Sequence, residues 1–347
     1  MFNNYCICIT CAGGTLKKQE GVFLKKYSKY KKILTLIGTD KNSNKVSKRV
    51  FDYTYQLPSP FSKKYIGSLL NIIKKHKVNL IIACSDEEAL EISKNLAKIK
   101  KLNCDTLLNK FSTLKILTNK ILTYKKLSSM KEIIPYWKEI KNYKQLKIYL
   151  KKFLSELGAG VIKPSISRGG RDVFIVEKIV KRKKEKSFGR HKHVNYGDFL
   201  KHHIKKFRNK FPIIIMEKLY EPAFDLDIFA SKGKIINCLF RKRMTIDGYQ
   251  GHKILFNNKS IIYSKKIANK LGLDAINDCD FMLNKRKRLK LLEVNPRPSG
   301  SLAVPHIAGY NILDSLLDLK IKNIKVKQAF FKKNVSITKK RIDQYNI

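Results

Sequence analysis

The chain has 347 residues, 43% of them hydrophobic and 10% aromatic, enough apolar mass for two or three domains with real cores and too much for a disordered chain. Its 74 lysines and arginines against 27 acids give a formal charge of +47, spread over every segment. That spread, as expected of an AT-rich genome, argues against a dedicated nucleic-acid face and for a general attraction of anions. No run approaches the roughly 18 apolar residues of a spanning helix, and Met1-Phe-Asn-Asn-Tyr5 lacks a basic start before an apolar stretch; neither anchor nor signal peptide is expected, and the cytoplasm is the default location.

Tyr5 to Cys11 reads as a buried strand, followed by a Gly13-Gly14 turn and a segment ending near Tyr30. Ile33 to Gly38 is a second strand, with Asp40 just beyond it. Helix-like Tyr65 to His76 leads into a third strand, Val78 to Cys84, and Asp86-Glu-Glu-Ala-Leu90 then opens a helix with acids in its first turn. Strands interleaved with helices imply a parallel sheet with right-handed crossovers. Gly13-Gly14 followed by Asp40 invites a dinucleotide-binding reading, but the full G-x-G-x-x-G and G-x-x-x-x-G-K-[ST] fingerprints are missing, and a tight turn is the plainer reading. Ser85, Asp86 and Glu87 stand at a strand's carboxyl end, where doubly wound sheets take ligands. Seven cysteines, an odd number, argue against a disulfide framework. Cys6, Cys8 and Cys11 read as small core residues of the first strand, with a metal site as the lesser alternative.

A lysine-rich helical region from Leu108 to Leu157 is broken at Pro135. Gly158-Ala-Gly-Val-Ile-Lys163-Pro164, Ser165-Ile-Ser167-Arg-Gly169-Gly170 and alternating Asp172-Val-Phe-Ile-Val176 then read as two strands joined by a glycine-containing loop. The charge run over 178–210 has the character of a solvated face, and His191, His193, His202 and His203 lack a cysteine or acid at ligand spacing. Pro212-Ile-Ile-Ile-Met-Glu217-Lys218-Leu219 is an apolar strand ending in an acid, and Asp225 and Asp227 share one face of the next strand. Arg241, Arg243 and His252 add cations nearby in sequence.

Asp280-Phe-Met-Leu283, a cationic turn Asn284-Lys-Arg-Lys-Arg288, and Leu289-Lys-Leu-Leu-Glu293-Val-Asn295-Pro-Arg297 read as strand, turn, strand. With the turn centred between Arg286 and Lys287, Asp280 lies opposite Glu293, and Asn295 joins Glu293 on the same face. Directly opposed like charges destabilise a sheet, so a cation is expected between them. Two carboxylates and an amide oxygen are hard ligands that suit Mg²⁺ beside a phosphate-bearing substrate; a solvated acidic hairpin is the plain alternative. Asn311 to Leu319 reads as an amphipathic helix capped by Asn311, and beyond Lys320 the chain is basic and strand-like.

Leu291-Leu-Glu-Val-Asn-Pro-Arg-Pro-Ser-Gly-Ser301 resembles the metal-binding signature of the ATP-grasp superfamily, in particular ligases similar to one half of a carbamoyl-phosphate synthase large chain. The resemblance implies a mixed α/β and α+β fold: a Rossmann-like parallel-sheet domain over 1–107, a two-subdomain ATP-grasp domain over 108–320 with a lid at about 160–215, and a basic tail over 321–347. It implies ATP and Mg²⁺ (or Mn²⁺) as cofactors, with Asp280, Glu293 and Asn295 as metal ligands and Lys120 and Lys163 on the α- and β-phosphates. Ser167, Gly169 and Gly170 would belong to the lid, and Glu217 with the backbone of Lys218 and Leu219 would face adenine. Glu221 would take the ribose, because Ala223 stands where relatives often carry a glutamate; Arg171 and Asp172 likewise replace a further lid glycine. Arg297 and Arg241 would be the catalytic cations.

The implied reaction activates a carboxylate as an acyl phosphate, which an amine then attacks. Small-molecule carboxylate and amine substrates are the expected partners, with neither membrane nor nucleic acid, and a homodimer is left open. Two alternatives keep the scaffold without ligation: a regulatory nucleotide binder, and a basic nucleic-acid-associated protein. A complete carbamoyl-phosphate synthase is disfavoured, since the sequence has no internal repeat.

Overall fold

A computed structural model describes residues 4–167, 172–178, 191–246, 249–307, 309, 311–322 and 335–338. Contacts divide the chain into two compact units: one formed by Met1–Lys115, Phe224–Cys279 and Asn295–Ile347, the other by Ile116–Ala223 and Asp280–Val294. The stretch 108–320, expected as one domain, is thus shared between them.

The first unit opens with strands β1 (Tyr5–Ile9), β2 (Leu34–Asp40), β3 (Tyr53–Gln56), β4 (Leu80–Ile82) and β5 (Asp105–Thr106). They form an all-parallel sheet in the order β3-β2-β1-β4-β5. This is the expected Rossmann-like arrangement, with its switch point between β1 and β4. Parallel sheets with helical crossovers are buried on both faces, and alternation along β1 shows how. Ile7 and Ile9 join one core cluster with Leu36, Leu80 and the helix Ile312–Ile321, whereas Cys6 and Cys8 join another with the helices Tyr65–His76 and Asp86–Lys94. The cysteines are therefore packing residues; burial lifts the Cys6 thiol to about 11. β3 was not anticipated, because Tyr-Thr-Tyr-Gln at a sheet edge carries no apolar run. Ser85 caps the helix Asp86–Lys94 by accepting from Glu88 N.

The second unit is built on β6 (Trp137–Ile140), β7 (Ala159–Pro164), β8 (Phe174–Glu177), β9 (Lys192–Asn195) and β10 (Ile213–Met216), in the order β6-β10-β7-β8-β9. β7 and β8 are the antiparallel pair expected around the loop; residues 168–171, which include Gly169 and Gly170, lie outside the described residues, as do 179–190 of the charge run. The helix Tyr143–Leu157 is fixed at both ends: Asn142 accepts from Gln145 N, and Gly158 ends it at φ 77°, a left-handed conformation glycine adopts without strain. It buries Leu146, Leu150, Phe153 and Leu154, the helical stripe that meets Ile162, Phe174, Ile213 and Ile215 of the sheet.

A third sheet contains β11 (Tyr220–Ser231), β12 (Lys234–Ile246), β13 (Tyr249–Leu255), β14 (Ala275–Leu283), β15 (Leu289–Asn295) and β16 (Val335–Thr338), in the order β15-β14-β11-β12-β13-β16. The chain passes from one unit to the other within β14 and β15. β16 is the one strand described in the basic tail. Asn311 precedes the helix Ile312–Ile321 but does not cap it; its side chain bonds His306 Nδ1 and Asp314 Oδ2 instead. Among the described residues no helix is long and apolar enough to cross a membrane.

Candidate functional site

In the second unit, two buried lysines converge on the acidic hairpin. Lys120 is the first residue of the helix Lys120–Lys126, whose cap is Asn119. Its Nζ lies 3.2 Å from Glu293 Oε2 and donates to Ser167 O at 2.5 Å, while its backbone N donates to Ser165 O. Lys163 is buried on β7, and its Nζ reaches Leu292 O at 3.5 Å. Burial, and then the neighbouring Lys120, lower the Lys163 pKa to about 7, against the pull of Glu293 and Asp280.

Tyr124 underlies this cluster and was not anticipated. It follows Lys120 by one helical turn, a spacing that could have revealed it. Its hydroxyl donates towards Leu291 O (3.1 Å) and Leu292 O (2.8 Å), and Lys163 Nζ lies 5.9 Å from its ring centroid.

The hairpin turn differs from the expected one. Asn284 N donates to Arg288 O and Lys287 N to Asn284 O, with Lys287 left-handed at φ 58°, so the centre falls one half-step earlier. Glu293 and Asp280 both raise the Lys163 pKa, against burial and Lys120.

The residues expected near adenine are held by local contacts. Glu217 Oε1 accepts from Tyr136 N, Lys218 Nζ pairs with Glu177 at 2.6 Å, and Leu219 is buried. Glu221, expected on the ribose, turns its Oε2 back onto Ala223 N at 2.7 Å.

The first unit holds the remaining expected residues. Arg241 is fully buried, and register pairs it with Asp225 across β11 and β12. Its five N–H donors have five partners: Asp227 twice, Asp225, His252 Nδ1 and Ser299 Oγ. Burial alone would favour the neutral form, but the carboxylates of Asp227 and Asp225 more than offset it and raise its pKa. Arg241, expected as a catalytic cation, is thus held on every side by acceptors of its own fold. Arg243 makes a further ion pair with Asp225. Carboxylate oxygens of Asp225 and Asp278 lie within 4.8 Å of one another. Asn295 is buried, and Arg297 Nε lies 3.2 Å from Asp86 Oδ1 at the start of a helix, so Asp86 is a partner the sequence did not reveal.

Residues 209–344 match a family model described as ATP-grasp in the biosynthetic pathway with Ter operon. Among curated proteins none matches the chain. Solved structures of similar fold include N5-carboxyaminoimidazole synthetase from Staphylococcus aureus complexed with ADP, with a TM-score of 0.63 and 13% identity over 95% of this chain and 79% of that one. The L-amino acid ligase of Bacillus licheniformis gives 0.58 and 14%, over 93% and 75%. The biotin carboxylase domain of Hydrogenobacter thermophilus 2-oxoglutarate carboxylase, solved with MgADP and bicarbonate, gives 0.64 and 11%, over 92% and 70%.

Proposed function

From the ATP-grasp fold that this chain carries, we propose that it is an ATP- and Mg²⁺-dependent ligase that activates a carboxylate as an acyl phosphate for attack by an amine. The observation behind this reading is the pair of buried lysines, Lys120 and Lys163, set against Glu293. Two ammonium groups buried side by side raise each other's cost, and a polyphosphate removes it. The three solved neighbours are named as a synthetase, a ligase and a carboxylase, two of them complexed with ADP, which supports nucleotide use here.

The donor chemistry fits a hard divalent ion: carboxylates at Asp280 and Glu293, and an amide at Asn295 two residues along β15. Bound Mg²⁺ would neutralise charge on the β- and γ-phosphate oxygens. The chain's own residues supply the positioning that phosphoryl transfer chiefly demands. Lys163 and Lys120 would hold phosphate oxygens, and Lys120 would at the same time fix Ser167 at the mouth of the loop. Arg297, whose Nε faces Asp86 and whose Nη1 donates to Pro298 O, would present its guanidinium to the acyl phosphate. Arg241 would act at one remove, by orienting Ser299. The substrates would be small molecules handled in the cytoplasm.

The test is ADP and phosphate release by the purified protein with ATP, Mg²⁺ and a panel of amino acids and small carboxylates. Release that requires one acid–amine pair and vanishes in Glu293→Gln supports the reading. Release that persists unchanged in Glu293→Gln refutes it.

A further inference from the structure

The first unit contains a cavity whose residues take no part in the chemistry above. It lies between the helix Thr15–Lys26 and the loop after β2, has a volume of about 560 Å³, and is lined by Lys18, Lys48 and Arg49 together with Ser43, Asn44 and Ser47. No acid lines it. Asp40, which ends β2, accepts from Gly13 N (3.0 Å) and Asn42 N (2.9 Å).

The walls are fixed by packing. A Cβ on Gly21 would stand 2.6 Å from Val50 Cγ1, and one on Gly38 would stand 2.6 Å from Val46 Cγ1 and 2.8 Å from Phe51 Cγ. The loop is thus pressed onto the helix through Gly21 and onto β2 through Gly38, with Val46, Val50 and Phe51 buried beneath it. Asn42 caps the short turn Ser43–Lys45 by accepting from Asn44 N. Lys18, Lys48 and Arg49 are exposed, and among the described residues none of the three makes an ion pair.

Three cations around one cavity give it a positive potential that favours an anion. The carboxyl ends of doubly wound strands are where such sheets take ligands. A phosphate monoester carries about −1.5 to −2 charges at neutral pH and three acceptor oxygens, which suit a guanidinium fork, two ammonium groups and hydroxyl donors. The volume exceeds a bare phosphate and matches the roughly 300–1,000 Å³ of small-molecule sites.

We infer that this cavity is a second anion site, which takes the phosphate of a small phosphorylated metabolite. The inference does not depend on the ligase reading, since it uses none of the same residues.

Calorimetric titration of the full chain with ribose 5-phosphate at physiological salt tests it, with ribose as the unphosphorylated control. The expected result is saturable 1:1 binding that ribose lacks. Lys48→Ala with Arg49→Ala should weaken it roughly tenfold or more, the scale of two charged hydrogen bonds. Lys163→Ala should leave it unchanged, as should Lys151→Ala with Lys152→Ala, which removes equal charge from an exposed helix face. Absence of saturable binding overturns the inference. So does an equal loss in the Lys151–Lys152 double variant, which would mean a diffuse field, or a loss confined to Lys163→Ala, which would mean the nucleotide site.

Discussion

Raising the pH from 7.5 to 9 should weaken ATP binding about twentyfold through Lys163 alone. The Lys163 pKa lies near 7 because the side chain is buried and Lys120 is close, and Glu293 and Asp280 only partly compensate. A polyphosphate against Nζ would hold the proton through pH 9, so affinity tracks the protonated fraction of the free protein. That fraction is about one in four at pH 7.5 and about one in a hundred at pH 9. Phosphate ionises for the last time near pH 6, so the nucleotide's charge is constant over this range. The same residue should act on stability with the opposite sign. Below pH 7 both folded and unfolded chains hold the proton, and burial of the charge is a constant cost. Between about 7 and about 10.4 the unfolded chain binds more protons, so stability rises with pH. Calorimetry with a non-hydrolysable ATP analogue measures the first slope, and urea unfolding of the free protein measures the second. Lys163→Met should abolish both. Equal pH slopes in wild type and Lys163→Met would refute the reasoning.

Glu293→Gln should lower the turnover rate on the order of 10²–10³-fold, as for loss of one preorganised charge partner, and should also lower the urea midpoint, because buried Lys120 loses its carboxylate. Arg241→Met should destabilise the fold by about 3–5 kcal/mol, because Asp227 would be left buried without its cation and Asp225 would keep Arg243 but not Arg241. Arg241→Lys should not rescue it, since an ammonium offers three donors where the fold uses five; urea unfolding distinguishes both from wild type. Tyr124→Phe should cost about 1–3 kcal/mol in the same assay, because the Leu291 and Leu292 carbonyls lose their buried donor.

Much of the fold was legible because its signals are local. Apolar runs in Tyr5–Ile9, Leu34–Asp40 and Leu80–Ile82 name the central strands, and the acids of Asp86-Glu-Glu name a helix start. β3 was illegible for the converse reason: an edge strand of alternating tyrosines needs no apolar run. Asn311 misled because Asx side chains choose among nearby partners; here its Oδ1 meets His306 Nδ1 and its Nδ2 donates to Asp314 Oδ2, so no helix amide is capped. In the candidate site, Lys120, Lys163 and Glu293 are legible in the sequence, whereas Tyr124 and the pairing of Asp86 with Arg297 are not, because these contacts join positions 168 and 211 residues apart.

Burial singles out a few of the chain's many cations, and their partners tell them apart. Of 74 lysines and arginines, the buried ones among the described residues are Lys120, Lys163, Arg241 and Lys290. Lys290 donates to three backbone carbonyls, those of Lys131, Glu132 and Ile134, and so closes a loop. Arg241 has a partner for every donor. Lys120 has Ser167 O and Glu293. Lys163 has one acceptor, Leu292 O, at the long distance of 3.5 Å. A buried ammonium with so little compensation is a net cost to the fold. Residues that destabilise the free protein while facing acids and a second lysine are the ones a bound anion would stabilise most, which is why the pH slope of Lys163 discriminates between a nucleotide site and a solvated acidic hairpin.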